Sequence, residues 1–359
     1  MQSDNPIVFF SSPKNDGCDW IKFNVNQKGY YRVQYPAEEW AKFSQLLQTD
    51  VQLFSSSDRT SLLNDAFSLA SAGRIAYESA LNLTLYLSNE TAVAPWETAF
   101  LALDNMADVL YFTPVFPTLR EFLEKLVSPL YNQLTWTEGN QESIEVAKLR
   151  SLILKKMCSL GNLEASQKAQ EILANYRQTG EKIPPNLREI VYVHGMTNDF
   201  ATWQWMLDLY KVESNAQEKL KLLRGLCSSG QPWILSHLLN LAWDESIVRR
   251  QDYFTLITYM SWNRIGEPIV WDFVRNNWTR LVQRFTLNDR LMGRMMSDIV
   301  KKFATPQRLM EMQDFYAANP DAGAGENYRK IALETVKGNI DFVTQHSVDI
   351  GNWLINQKK

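Results

Sequence analysis

Residues 57–73 read SDRTSLLNDAFSLASAG, and the class of the fold follows from their pattern. Leu62, Leu63, Ala66, Phe67 and Ala70 recur with the period of a helix, so they share one apolar face. Ser57 is placed to cap the start of that helix, and Gly73 is placed to end it. The same grammar repeats downstream. Pro95 stands where the first helical residue of the next long segment belongs, followed by Trp96, Phe100, Leu103 and Leu110 at helical spacing. Asn215 and Glu218 have capping-box spacing ahead of Leu220, Leu223 and Cys227, with Gly230 as the stop. Trp271, Val274 and Trp278 mark one face of a further helix, which Phe273 adjoins, and are expected in the core. Roughly fifteen to eighteen such segments are expected, mostly of about 11–18 residues. Pro129, inside LEKLVSPLYNQL (123–134), is expected to kink or split one of them.

Upstream of Pro36 the period changes. Ile7 to Phe10 is an apolar run, and Ile21, Phe23 and Val25 alternate with Lys22 and Asn24, as in a half-buried strand. Asn26-Gln27-Lys28-Gly29 reads as a turn in which Gly29 takes positive φ, and YYRVQY (30–35) reads as the returning strand. So few strands are marginal alone, so a ribbon leaning on the helices with one apolar face exposed is expected. No segment repeats at a fixed period. Short helices joined by short loops nevertheless predict a mainly α fold: an irregular HEAT-like α-solenoid or bowl of antiparallel pairs with an N-terminal β hairpin. The expected division is 1–36 and 37–359.

Composition bounds the function. The 359 residues are 45% hydrophobic and 21% charged, the balance of a globular protein with a large core, which excludes chain-wide disorder. Net charge is −3, and no stretch gathers Lys and Arg into a stripe, so a nucleic-acid groove has no electrostatic basis. No window approaches the roughly 20 apolar residues that cross a bilayer. Met1-Gln2-Ser3-Asp4 has neither a basic region nor an apolar core, so it does not read as a signal peptide; a cut inside a longer protein is the expectation. Cys18, Cys158 and Cys227 show no CxxC spacing, and the last two sit in apolar helical surroundings that favour small buried thiols.

The catalytic inventory is thin. His194, His237 and His346 lie far apart, none with a second His or Cys at ligand spacing, so H-E-x-x-H is absent and each reads as structural or surface. There is no G-x-S-x-G and no phosphate-binding Gly loop. Carboxylate pairs such as Glu121/Glu124 and Glu142/Glu145 read as solvated helix faces. No catalytic residue, metal ligand or cofactor of this chain is expected. Asn82, Asn89 and Asn277 head Asn-x-Thr sequons, candidate glycosylation sites compatible with a secreted protein. Arg294 stands apart as a candidate substrate contact. Leu291, Met292, Met295 and Met296 surround it, and Gly293 leaves the room that a ligand or a facing backbone would need. An Arg in such a setting suits a carboxylate held by two parallel hydrogen bonds. A helical ion pair with Asp298 is the structural alternative.

GYYRVQY (29–35), SDRTSLLNDAFSLA (57–70), IVWDFVRNNW (269–278) and PDAGAGE (320–326) resemble the C-terminal half of the gluzincin (M1) zinc aminopeptidases. WIKFNVNQKG (20–29), NLREIVYVHGM (186–196) and RFTLNDRLMGR (284–294) resemble its glutamyl branch most. The similarity runs co-linearly from about Cys18 to Trp353. It implies that 1–36 are the last strands of a β-sandwich and that 37–359 form the family's helical C-terminal domain. It implies a non-catalytic part that caps the active-site chamber, shapes the peptide cavity, and supports folding and homodimerisation. The parent would be a metallo-aminopeptidase removing N-terminal acidic residues, with zinc, and calcium as a further candidate, outside this chain. The implied partners are the upstream catalytic domain and peptide substrates, and the implied place is the extracellular ectodomain of a type II membrane protein. The arginine matching Arg294 would reach the substrate cavity. A free-standing α-solenoid that binds proteins or peptides is the alternative that the residues leave open.

Overall fold

The computed structural model describes residues 20–139, 142–196 and 199–358. It is 73% helical, and among the described residues no strand forms. Among the described residues seventeen α-helices follow one another: α1 (Ala37–Thr49), α2 (Ser56–Ser71), α3 (Tyr77–Asn82), α4 (Val93–Leu110), α5 (Phe116–Leu134), α6 (Ile144–Ser159), α7 (Leu163–Thr179), α8 (Arg188–His194) and α9 (Phe200–Val212). The series continues with α10 (Ala216–Leu226), α11 (Pro232–Leu241), α12 (Tyr253–Trp262), α13 (Gly266–Asn276), α14 (Trp278–Phe285), α15 (Arg290–Asp298), α16 (Pro306–Ala318) and α17 (Glu326–Asn356).

The apolar face of 57–70 is core: Leu62, Leu63, Ala66 and Ala70 are all at most 2% exposed. The cap lies two residues earlier than expected, at Ser55, whose Oγ accepts from the amide of Asp58 at 3.1 Å. Pro95 is the third helical residue of α4 instead of the first. Pro129 lies inside α5, which is not split. Asn215 caps α10 as expected, but Glu218 does not complete the box. Its carboxylate accepts from Tyr192 Oη at 2.7 Å and Arg188 Nη1 at 3.2 Å, and the amide of Asn215 goes to Glu213. The helix ends at Leu226, short of Gly230.

The expected hairpin is the main correction. The stretches 21–25 and 30–35 form no ladder, because their polar groups are engaged elsewhere. The amide of Asn26 donates to Asp58 Oδ1 at 2.7 Å and that of Val33 to Asp65 Oδ2 at 3.0 Å. Phe23 N donates to Tyr35 Oη, and the Asn24 side chain exchanges hydrogen bonds with Gly29. Asp58 and Asp65 are seven residues apart on one face of α2, so the segment is stapled to a helix and not to a strand. Lys22 Nζ reaches Asp58 at 2.6 Å. Despite burial, the bonds from Lys22, Ser55 and Asn26 hold the Asp58 carboxyl below the usual range, whereas burial pushes Asp65 up. The positive φ angles fall on Asn24, Asn26 and Gln27, not Gly29. Gly29 packs under the exposed Tyr31 ring, which would have to swing aside for a Cβ, since its nearest atom would lie 2.3 Å away. The apolar run at 7–10 lies outside the described residues. Trp20 packs on Phe54, while Ile21, Val25, Tyr30 and Tyr31 are exposed, although not on the face of a ribbon.

Neighbouring helices are ordered. Each of α4, α6, α8, α10, α12, α15 and α17 touches the next, and α17 touches α4 again. Helices α5, α7, α9 and α13 pack on members of that series. The last helix therefore lies against the early ones: Trp353 Nε1 donates to Asn82 Oδ1 at 2.8 Å, and its ring meets Phe122 edge-on.

Candidate functional site

Arg294 lies on α15. Asp289 caps that helix, its Oδ1 accepting from the amides of Leu291 and Met292. Met292, Met295 and Met296 are each 1% exposed and face the core, so they anchor the helix without walling the arginine. Gly293 meets a facing backbone: a Cβ there would lie 2.9 Å from Gly325 Cα. That loop, 320–325, is fixed in turn. The amide of Ala324 donates to Leu287 O, and Gly323, at φ +51, comes so close to Leu287 that a Cβ would clash with its carbonyl. Arg329, 6% exposed, donates to Asn319 O and Asp321 O while lying over the rings of Tyr316 and Trp278.

Arg294 itself is 62% exposed, with Nε 3.3 Å from Asp298 Oδ2. Lys301 Nζ shares that carboxylate at 2.9 Å. The terminal nitrogens of the guanidinium have no partner among the described residues, so its fork is open to a carboxylate from outside.

Trp271 and Val274 are fully buried and Trp278 is 8% exposed, with Phe273 packed against the same core. Asn277 falls between α13 and α14, half-buried, its Nδ2 donating to Phe273 O. The other sequons differ. Asn82 is half-buried against Trp353, and Thr84 is buried, whereas Asn89 and Thr91 are both exposed. Between those two, Glu90 turns inward to a bidentate pair with Arg59, Nε–Oε2 2.6 Å and Nη2–Oε1 2.8 Å.

The histidines do not converge. His346 lies against Tyr77 and Phe342, and His237 against Phe200 and Trp203. Burial, with Lys155 and Arg224 nearby, pushes His194 down to about 4. Cys158 and Cys227 are buried free thiols whose pKa burial raises. Among the described residues no three His, Cys, Asp or Glu side chains gather where they could hold a metal ion, so these residues do not fit a zinc centre. No described helix is long and apolar enough to cross a membrane. Two open clefts, of about 530 and 550 Å³, lie beside Arg59 and beside Trp136, away from Arg294.

One set of polar contacts was invisible in the sequence because its members are far apart. Asp104 pairs with Lys156, Lys155 with Glu189, and Glu189 with Arg224 at 2.5 Å. Arg224 lies 4.7 Å over Trp262, whose carbonyl accepts from Lys302. Lys302 and Arg264 then both reach Asp108, one turn beyond Asp104. The chain of contacts closes on α4.

Comparison of the sequence with known proteins gives the class of this helical domain. The chain belongs to the ERAP1-like C-terminal domain family, which matches residues 20–338. Aminopeptidase A of Gloydius brevicauda is 38% identical over 343 residues, covering 95% of this chain and 36% of the relative. Human glutamyl aminopeptidase is 36% identical over 358 residues (99% and 37%), and mouse endoplasmic reticulum aminopeptidase 1 is 31% identical over 368 residues (99% and 39%). The chain thus spans little more than a third of the length of these relatives.

Proposed function

We infer that this chain is the helical C-terminal part of a zinc-dependent aminopeptidase selective for acidic N-terminal residues, and that it covers a catalytic site held elsewhere in the parent protein. The observation that carries the reading is co-linear identity of 36–38% with glutamyl aminopeptidases over at least 94% of the chain. The division at 36/37 is supported by α1 beginning at Ala37. A HEAT-like bowl is supported by the neighbour series that returns from α17 to α4. Covering the site would exclude water and strengthen the electrostatics at the metal. Zinc, when bound by the parent, would polarise the scissile carbonyl and activate water; this chain would shape the cavity and offer the open fork of Arg294 to a substrate carboxylate. Extracellular placement, a glycan on exposed Asn89 and homodimerisation through the helices belong to the same reading.

The test compares this chain with the complete parent protein. The parent should hydrolyse a glutamyl arylamide, and the chain alone should neither hydrolyse it nor retain stoichiometric zinc. One zinc per chain together with arylamide hydrolysis by the isolated chain would overturn the proposal. Sedimentation of the parent tests the dimer.

A further inference from the structure

The helical series α4–α6–α8–α10–α12–α15–α17 closes once through apolar packing, where α17 returns to α4. A second closure runs through charge alone. Asp108, near the end of α4, accepts Arg264 Nη2 on Oδ1 at 2.5 Å and on its main-chain oxygen at 3.1 Å. Lys302 Nζ, just beyond α15, comes to 3.3 Å of the same Oδ1. Arg264 also lies 4.2 Å over Tyr111 and 3.5 Å from Glu267 Oε2. These contacts bridge 156 residues of sequence.

We propose that Asp108, Arg264, Lys302 and Glu267 form an ionic latch that holds the α12–α13 corner against α4 and sets the width of the helical ring. The groups facing the latch are all accounted for. Asp104 turns to Lys156 on α6, and Arg308 on α16 pairs with Glu311. The Glu267 and Lys302 side chains are only 6% and 18% exposed. Burial accordingly pushes the Glu267 carboxyl up and the Lys302 ammonium down, as expected where charges are held away from water. On this proposal, loss of the shared carboxylate leaves Lys302 with the Trp262 carbonyl alone and lets the corner move outward towards solvent. Asp108 is the member that both cations share and the most exposed, at 36%, so opening begins there.

The latch is independent of the proposed activity and can be tested on this chain. Cys158 and Cys227 are buried, so with Cys18→Ser in place, spin labels can be directed to cysteines replacing exposed Leu101 on α4 and exposed Asp272 on α13. The latched protein should give one narrow distance distribution. Asp108→Asn should broaden it and move it outward by at least about 2 Å, the scale of a helix shift at an interface. Asp108→Glu, which keeps the carboxylate that Arg264 and Lys302 share, should keep the distribution narrow. An unchanged distance in Asp108→Asn would overturn the latch, as would a distribution in Asp108→Glu as broad as that of Asp108→Asn. Should Asp108→Asn not fold, Lys302→Gln, which removes one of the two cations on Asp108, decides in the same way.

Discussion

At the scale of single residues, Arg294 and Asp298 show how a local reading and a functional reading coexist. They are one helical turn apart, and their pairing was legible from spacing alone. What spacing could not show is that the methionines beside Arg294 turn away from it, leaving the guanidinium in solvent. Such a pair adds little to stability, because exposed ion pairs are worth about 0–1 kcal/mol. Arg294→Ala should therefore leave the melting temperature of the proposed parent enzyme nearly unchanged. If the open fork grips substrate, kcat/KM for acidic peptides should fall by about 1.5–3 kcal/mol. Full activity in that variant would dismiss the substrate contact. His194 makes a second, pH-dependent case. Its pKa is held at about 4, below the ordinary 6.5, so the unfolded chain binds the proton first as pH falls. Stability from this residue is complete above pH 6.5 and is lost towards pH 4, by roughly 2–3 kcal/mol at most. His194→Gln cannot titrate and should flatten that part of the stability–pH curve. Parallel curves for the two proteins would show that His194 carries none of the dependence.

Among the elements, amphipathic helices were the most legible, because each carries its period within a few turns. The face of 57–70, the cap at Asn215 and the Trp271/Val274/Trp278 stripe all survive in the structure. Residues 20–35 were misread for a definable reason. Alternation of apolar and polar side chains says that one face of an extended segment is covered, but not what receives its amides. Here the receivers are Asp58 and Asp65 on α2, and neither announces that role in sequence. Ser55 joins the two elements: its Oγ accepts from Asp58 N, and its one hydroxyl proton is shared between Asn26 Oδ1 at 2.7 Å and Asp58 Oδ2 at 2.8 Å. Ser55→Ala should cost about 1–2 kcal/mol in urea unfolding, at the upper end for a lost N-cap. It should also raise amide exchange at Asn26 more than in the middle of α2. Equal exchange at both places would mean that the segment is held without Ser55.

For the whole molecule, the informative contacts are the least legible ones. The 31 residues of α17 give a helical period, but nothing in them names α3, α4 and α5 as neighbours. Trp353 meets Asn82 across 271 residues, a distance over which periodicity carries no information. Of the candidate site, the Arg294–Asp298 pair was legible, but neither the inward turn of the neighbouring methionines nor the chain of charges from Asp104 round to Asp108 was. Long-range closure also predicts where the fold is vulnerable. Ile350, Trp353 and Leu354 are buried, Phe342 and His346 pack on Tyr77, and the Trp353 ring is 6% exposed against Phe122. Trp353→Ala removes a buried ring and leaves the Asn82 amide oxygen without its donor, so it should cost about 3–5 kcal/mol. Trp353→Phe keeps most of the apolar contact and loses the indole donor, so about 1–2 kcal/mol is expected. The pair of urea midpoints separates packing from hydrogen bonding at the closure. Because the damage lies where the last helix meets the first ones, protection from amide exchange should fall in α3 and α5 as well as at the end of α17. Loss confined to α17 would mean that this helix merely rests on a body already complete without it.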